Sequence, residues 1–394
     1  MVSALNLKPR IAFTTTVYDH TSVGGGTFVH YLRQAVEDGK LDIVFFSDDI
    51  GEALEVYERP VRIPAWARRL PGGWLTRSYF FHKAVQADHS IRPFVMIWHN
   101  NVITSLFDVA LPCGVPVIGM VNDYSNAESR SPLASRRKYG TVRAFIRYGW
   151  QLFEKWAARR VDHLIVNSEY MAERIGSAYK IDEHRIHLLY KGVDLEEFEY
   201  VPLRSFSQPI KILFVKLEFI RAGLPDLLAA IADFPVRVQL TVIGPPPQSH
   251  DAIRAMAEPL GVAELLNISG PIGRDEITGI FRDHDILCIP SRSEALGVAF
   301  MEALACGLPA VGTRVGGVPE VLDHGRAGWL AEPGVPASIR GALLDVIEND
   351  EERKKRVMHG RKHVTRFSHE NMIDEMNVIA RTVVESSEVS EPCV

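Results

Sequence analysis

Cysteine is scarce: the chain has four in 394 residues, Cys113, Cys288, Cys306 and Cys393, and no CxxC pair. That spacing excludes a disulfide scaffold and the common structural zinc sites. Cys288 and Cys306 fall inside apolar runs and read as reduced core residues, which fits a cytoplasmic protein. No apolar run reaches the roughly 18 residues of a membrane span, and the opening MVSALNLKPR has no apolar h-region. Neither sign of charge predominates: 44 basic residues against 49 acidic leave a net −5, so nothing points generally to nucleic acid. A G-x-G-x-x-G fingerprint is missing too. In VGGGTFVHYL (23–32), Val29 stands where the last glycine belongs, which argues against a dinucleotide-dependent oxidoreductase.

Metal-binding patterns are equally thin. Asp283-His284-Asp285 is formally a D-x-D triplet, but it joins a helical pattern to the apolar run ILCIPS, so no metal is expected there. His359 and His363 share helical spacing on the charged stretch RKKRVMHGRKH and read as a solvated face.

What is present is an ordinary globular composition, 46% hydrophobic and 24% charged, in a chain too long for one core. Short apolar runs alternate with helical patterns. The first half has IAFTTT (11–16), LDIVFFS (41–47), FVMIWH (94–99), PVIGMV (116–121), DHLIVNS (162–168) and RIHLLY (185–190). The second has IKILFVK (210–216), VRVQLTVIG (236–244), LLNISG (265–270), DILCIPS (285–291), PAVGT (309–313) and GWLAEP (328–333). Continuous V/I/L/F runs suit strands covered on both faces, and their alternation with helices predicts two α/β domains with parallel sheets. Domains at 1–200 and 201–366 follow, joined through the polar segment 194–209. The helical pattern HENMIDEMNVIARTVVE (369–385) then packs back on the first domain, within a closing segment 367–394.

The stretch SRSEALGVAFMEALACGLPAVGTRVGGVPE (291–320) sets Glu294 and Glu302 among small and apolar residues. A buried carboxylate is costly unless something polar meets it. Gly297 relieves the turn into a helix and Gly307 stops it. The helix then opens with unpaired N–H groups near Gly297, Val298 and Ala299, a seat for phosphate. Phosphates on those amides and hydroxyls on the two carboxylates describe a nucleotide sugar. The rival reading makes Glu294 a solvated loop residue and gives Glu302 a nearby cation.

The segment EALGVAFMEALACGLP resembles the donor-binding motif of the retaining glycosyltransferase family 4, glycosyl transferases group 1, of GT-B fold. FEKWAARRVDHLIVNSEYMAERI (153–175), IHLLYKGVDLEEF (186–198) and TRVGGVPEVLDHGRAGWLAEP (313–333) match that family in order. The resemblance implies two Rossmann-like parallel-sheet domains facing across a cleft, acceptor domain first and nucleotide-sugar donor domain second. It gives Glu302 the ribose hydroxyls and Glu294 the donor sugar. The amides of Gly297, Val298 and Ala299 face the diphosphate, and Ile272 lies against the base. In FVKLEFIRAG, Lys216 and Arg221 are the cations for the departing diphosphate, though Lys216 replaces the family's Arg, Ala222 follows Arg221 where the family has Gly, and Gly223 comes one residue late. Gly25 and Gly26 belong to a glycine loop facing the donor phosphates. His99, ending FVMIWH, lines the reaction site, and Asn122 replaces a family His.

The implied activity is retaining, metal-independent transfer from a UDP- or GDP-sugar to a glycan, glycolipid or polysaccharide acceptor, with no cofactor because the nucleotide sugar is the substrate. A catalytically silent nucleotide-sugar binder, a phosphorylase and an epimerase are the alternatives. Between Arg130 and Arg160 lie nine Lys/Arg and one acidic residue, Glu154, interleaved with aromatics. This segment is either a peripheral contact with anionic membrane or a surface helix with its aromatics in the core.

Overall fold

The structure is a computed structural model, and it describes residues 8–18, 24–51, 55–68, 73–88, 93–110, 114–123, 141–203 and 205–388. The chain divides into two compact units, Met1–Tyr190 with Met372–Val394, and Lys191–Asn371.

The first unit is built on seven parallel strands: β1 (Arg10–Thr15), β2 (Asp42–Ser47), β3 (Glu58–Pro60), β4 (Met96–His99), β5 (Val117–Val121), β6 (His163–Val166) and β7 (Ile186–Leu188). Their order is β3-β2-β1-β4-β5-β6-β7. The central strands are buried along nearly their whole length, as their unbroken apolar runs require. Helix α1 (Gly24–Glu37) follows β1 and buries Phe28, Tyr31, Leu32 and Ala35, a 3–4 spacing that keeps one stripe on the sheet. Two further helices of this unit, α2 (Gly73–Gln86) and α3 (Thr141–Ala158), are used below.

The second unit carries six parallel strands: β8 (Ile210–Val215), β9 (Val238–Ile243), β10 (Leu266–Ile268), β11 (Ile286–Cys288), β12 (Ala310–Thr313) and β13 (Trp329–Ala331). The order is β10-β9-β8-β11-β12-β13. Its helices include α4 (Leu224–Ile231), α5 (Arg274–Asp283), α6 (Val298–Cys306), α7 (Pro336–Glu348) and α8 (Asp350–His363). Strand order reverses at β8, with β9 on one side and β11 on the other. In open parallel sheets, ligands bind beyond the carboxyl ends of the strands at such a reversal.

The polar segment 194–209 is no free tether. Phe198 is buried edge-on against Phe281 at 5.8 Å, and the Val201 N–H donates to the Cys306 carbonyl at 3.0 Å. It forms part of the second unit's wall. The last helix, α9 (His369–Glu388), buries Met372, Ile373, Met376, Ile379, Ala380 and Val383 in one core with Ile11, Phe13 and Trp98 of the first unit.

Candidate functional site

Two charged residues emerge at the reversal point. Lys216 follows β8 directly, and Glu294 lies in the loop after β11. The Lys216 Nζ is 2.6 Å from the Glu294 Oε2, with the side chains 27% and 15% exposed. Neither is held by chance. The Lys216 N–H donates to the Ile243 carbonyl at 2.9 Å, and Gly244 (φ +107°) packs so tightly there that a Cβ would come within 2.8 Å of the Lys216 carbonyl carbon. On the other side, buried Ser291 donates its hydroxyl to the Glu294 Oε2 at 3.4 Å, while its carbonyl accepts from the Thr313 hydroxyl at 2.5 Å.

Helix α6 begins beside this pair. Gly297 (φ +100°) is its left-handed N-cap and Gly307 (φ +76°) its left-handed C-cap. No side chain caps the start, so the opening amides at Val298 and Ala299 have no acceptor within the helix. The helix is apolar on nearly every side, with Ala299, Phe300, Met301 and Ala303 to Cys306 all buried. Glu302 is the exception, a half-buried carboxyl among apolar neighbours. Burial pushes it up to about 7, Glu197 pushes the same way, and Arg274 and Lys216 oppose. It therefore stands at the point of ionisation near neutral pH. Groups that donate to a carboxylate, such as hydroxyls, would stabilise the charged form.

Arg274, the first residue of α5, forms an ion pair with Glu197 next to Glu302. Neither residue stands out in the sequence pattern. The signal available was position: Arg274 opens a helix two residues after Ile272, which is half-buried at the end of the preceding loop. Arg221 is tied to the glutamate loop. Its Nη2 lies 3.5 Å from the Ser293 hydroxyl, its carbonyl accepts from the Arg292 N–H at 2.9 Å, and its Nη1 is 3.3 Å from Glu218. Arg292 grips Asp226 with two bonds of 2.6 and 2.7 Å. Thus Lys216, Arg221, Glu294 and Glu302 gather around one helix start, with Arg274 and Glu197 added.

The remaining expected positions belong to the first unit. Gly25 and Gly26 form the opening turn of α1 after β1. His99 ends β4 as expected, but its side chain is fully buried. Its Nδ1 is 2.7 Å from the Thr14 hydroxyl and 3.2 Å from that of Thr104. Its Nε2 lies 3.1 Å from the Asp108 Oδ2, too bent for a good hydrogen bond. His82 meets the other oxygen of Asp108 at 2.9 Å. In this structure the His99 imidazole is enclosed by Thr14, Thr104 and Asp108. Asn122 donates to the Asn100 carbonyl at 2.7 Å.

His359 and His363 are not a solvated face. Their rings stack at 6.2 Å, the His359 Nε2 is 2.5 Å from Asp323, and His363 meets the Glu320 carbonyl at 3.1 Å. The D-x-D triplet is structural: His284 bonds the Ile280 carbonyl and the Thr241 hydroxyl, and Asp285 accepts from the Lys211 N–H. Among the described residues no group of three or more metal-ligating side chains converges. Part of the basic segment, 130–140, lies outside the described residues. Further along α3, Trp150 and Phe153 pack on Trp74 at 5.1 and 4.8 Å, while Leu152 is 52% exposed. Among the described residues no helix is long and apolar enough to cross a membrane.

Comparison with known proteins bears on this geometry. A profile for "Glycosyl transferases group 1" matches residues 197–363, the whole of the charged site, and one for "Glycosyltransferase Family 4" matches 23–197. The chain belongs to this glycosyltransferase family. It is 28% identical over 244 residues to a D-inositol 3-phosphate glycosyltransferase of Mycolicibacterium vanbaalenii, a match covering 57% of this chain and 53% of that one. The chain spans about half the length of the curated relatives it matches most strongly. Its fold is GT-B. The sucrose-phosphate synthase of Thermosynechococcus elongatus superposes with a TM-score of 0.78 at 18% identity, covering 96% of this chain and all of that one. The Anabaena protein HepE, in complex with UDP and glucose, gives 0.70 at 14% identity, covering 95% and 100%. Within this chain, the family profile that includes the charged site ends at His363, before the last helix.

Proposed function

We propose that the chain transfers a sugar from a UDP- or GDP-sugar to an acceptor hydroxyl in glycan, glycolipid or polysaccharide biosynthesis, with retention and without a metal. The observation that carries this reading is the Lys216–Glu294 pair set against the open start of α6, with Glu302 a turn further in. The 2.6 Å pair gives Lys216 a partner before substrate arrives and holds it ready for a diphosphate oxygen. The unpaired amides at Val298 and Ala299 supply the rest of the anion seat. Glu302, desolvated and close to neutral, meets the ribose hydroxyls, while Glu294 meets the donor sugar. Ile272 contributes apolar surface for the base.

Charge builds on the departing diphosphate as the glycosidic bond breaks. Fixed cations and amides stabilise it without reorganising, which is where such sites gain most. Lys216 and Arg221 are those cations. No protein nucleophile is assigned, and the departing phosphate takes the acceptor proton on the same face. HepE, whose solved complex holds UDP and glucose, supports a UDP-sugar as the first donor to try.

The same reading places the enzyme in the cytoplasm, with a peripheral contact to anionic lipid through 130–160. Exposed Tyr148, Leu152 and Phe153 on α3 support that contact. Binding to anionic vesicles that vanishes at high salt would bear it out.

A melting-temperature screen across nucleotide sugars, followed by product analysis with the stabilising donor, tests the main reading. Selective stabilisation and turnover are expected. Stabilisation without turnover on any acceptor would leave a silent binder, and phosphate-dependent release would indicate a phosphorylase. No response to any nucleotide sugar would overturn the proposal.

A further inference from the structure

A second cavity in the same unit takes no part in the site above. Behind edge strand β13, helices α7 and α8 and the turn at 324–326 enclose an open space of about 720 Å³. That size suits a small molecule, since such sites run roughly 300–1,000 Å³. Four permanent cations line it, Arg314, Arg326, Lys355 and Arg356, against two carboxylates, Asp345 and Glu352.

Three of these cations sit in solvent-exposed ion pairs. Arg326 is 70% exposed with Asp323 as partner, Lys355 is 78% exposed and 3.4 Å from Glu352, and Arg314 is 57% exposed beside Glu332. Exposed pairs of this kind contribute little, so an incoming anion displaces them at small cost. Arg356 is different. It donates to the Gly328 carbonyl at 3.0 Å and to Glu352 at 2.7 Å, and lies 4.6 Å over the Trp329 ring, so one guanidinium is fixed in advance.

Gly341, exposed on α7 where glycine is disfavoured, lines the open side of the cavity, and a Cβ there would meet nothing within 4 Å. The rim is strained: Asp323 and His324 are consecutive non-glycine residues at φ +45° and +55°. Such strain persists where surrounding contacts over-determine it, as at ligand clamps.

We propose that this cavity binds a small hydroxylated phosphate ester, with the phosphate on Arg326, Lys355 and Arg356 and the hydroxyls on Asp345 and Glu352. Cations alone would suit any anion. Two carboxylates placed among them select a ligand that also donates hydrogen bonds, as a sugar or polyol phosphate does.

Isothermal titration calorimetry on the full chain with glucose 6-phosphate and with inorganic phosphate tests this. Saturable binding is expected, tighter for the sugar phosphate. The double variant Arg326→Glu, Lys355→Glu should weaken it by about 30-fold or more, given what two charge-assisted contacts contribute. Gly341→Leu places a bulky side chain on the cavity lining while improving helix propensity, and should also remove binding. Lys216→Ala should leave it unchanged, which separates this cavity from the nucleotide-sugar site. The same ester chemistry occurs on lipid head groups. Sedimentation with phosphatidylcholine vesicles, with and without phosphatidylinositol, distinguishes that source, again with loss in both cavity variants. Absence of binding to every probe, or binding that survives both cavity variants, would sink the proposal.

Discussion

The backbone of Gly316 lies so close to that of Glu294 that a Cβ added to Gly316 would fall 1.5 Å from the Glu294 carbonyl oxygen. The two residues are 22 positions apart in the chain, in the loops that follow β12 and β11. Gly316 also has φ +56°, which L side chains rarely adopt. The carboxylate loop is therefore shaped by the backbone of a residue in the next loop.

Gly316→Ala should act on that loop before it acts on the fold. Either the φ changes or the 291–297 loop moves, and both displace Glu294. Urea unfolding should show a loss of about 1–3 kcal/mol, with donor turnover reduced well beyond the fraction of protein unfolded. A variant with wild-type turnover would show that the loop can relax without consequence.

Lys216→Met should separate chemistry from stability. The side chain is partly exposed and its ion pair contributes only about 1 kcal/mol or less, so the melting temperature should hardly move. Turnover should fall about 10²- to 10³-fold, the range for removing one fixed stabiliser of a developing anion. Steady-state kinetics that show a raised KM at constant kcat would instead make Lys216 a ground-state binding residue.

Glu302 gives stability an unusual pH slope. Its folded value near 7 lies above the ordinary 4.5, so the folded protein holds this proton more tightly than the unfolded chain does. Its contribution is thus fully present below pH 4.5 and declines as pH rises toward 7, by up to about 3 kcal/mol. Glu302→Gln should match wild type at pH 4.5 and melt at a higher temperature at pH 8, while losing the response to nucleotide sugar. Parallel melting curves across that range would mean that the carboxyl is better solvated than its surroundings suggest.

The first unit behaves in the opposite sense. Burial alone would raise the Asp108 carboxyl, but the His99 and His82 rings beside it, at 3.1 and 2.9 Å, hold it below the usual range. Its contribution is present above the ordinary carboxylate pKa and lost as pH falls through the depressed one. Asp108→Asn should cost about 3 kcal/mol at pH 7, because it leaves two buried imidazoles facing an amide. The difference from wild type should shrink in acid. Chemical denaturation at pH 7 and pH 4 measures both.

The strands were readable because continuous V/I/L/F runs have no other stable home than a sheet covered on both sides. β3 was not, since Glu58-Arg59-Pro60 carries two charges and a proline, and only its edge position permits it. The carboxylate loop was legible through its glycines and paired glutamates. Arg274 and Glu197 were not, because partners 77 positions apart leave no periodic trace. His99 was read correctly as a strand end. What surrounds that end depends on Asp108 and His82, which a one-dimensional pattern does not bring to it. The same holds for His359, whose partner Asp323 sits 36 positions earlier on a left-handed turn.

The closing helix carries a consequence for biosynthesis. Met372, Ile373, Met376, Ile379, Ala380 and Val383 complete a core whose other residues are made first, from Ile11 onward. The early-made half must therefore wait on the ribosome with an apolar flank uncovered, while the contiguous later half can finish before it. Chaperone dependence during synthesis should follow the emergence of those six side chains, and a nascent chain stalled ahead of them should be the species most prone to aggregate.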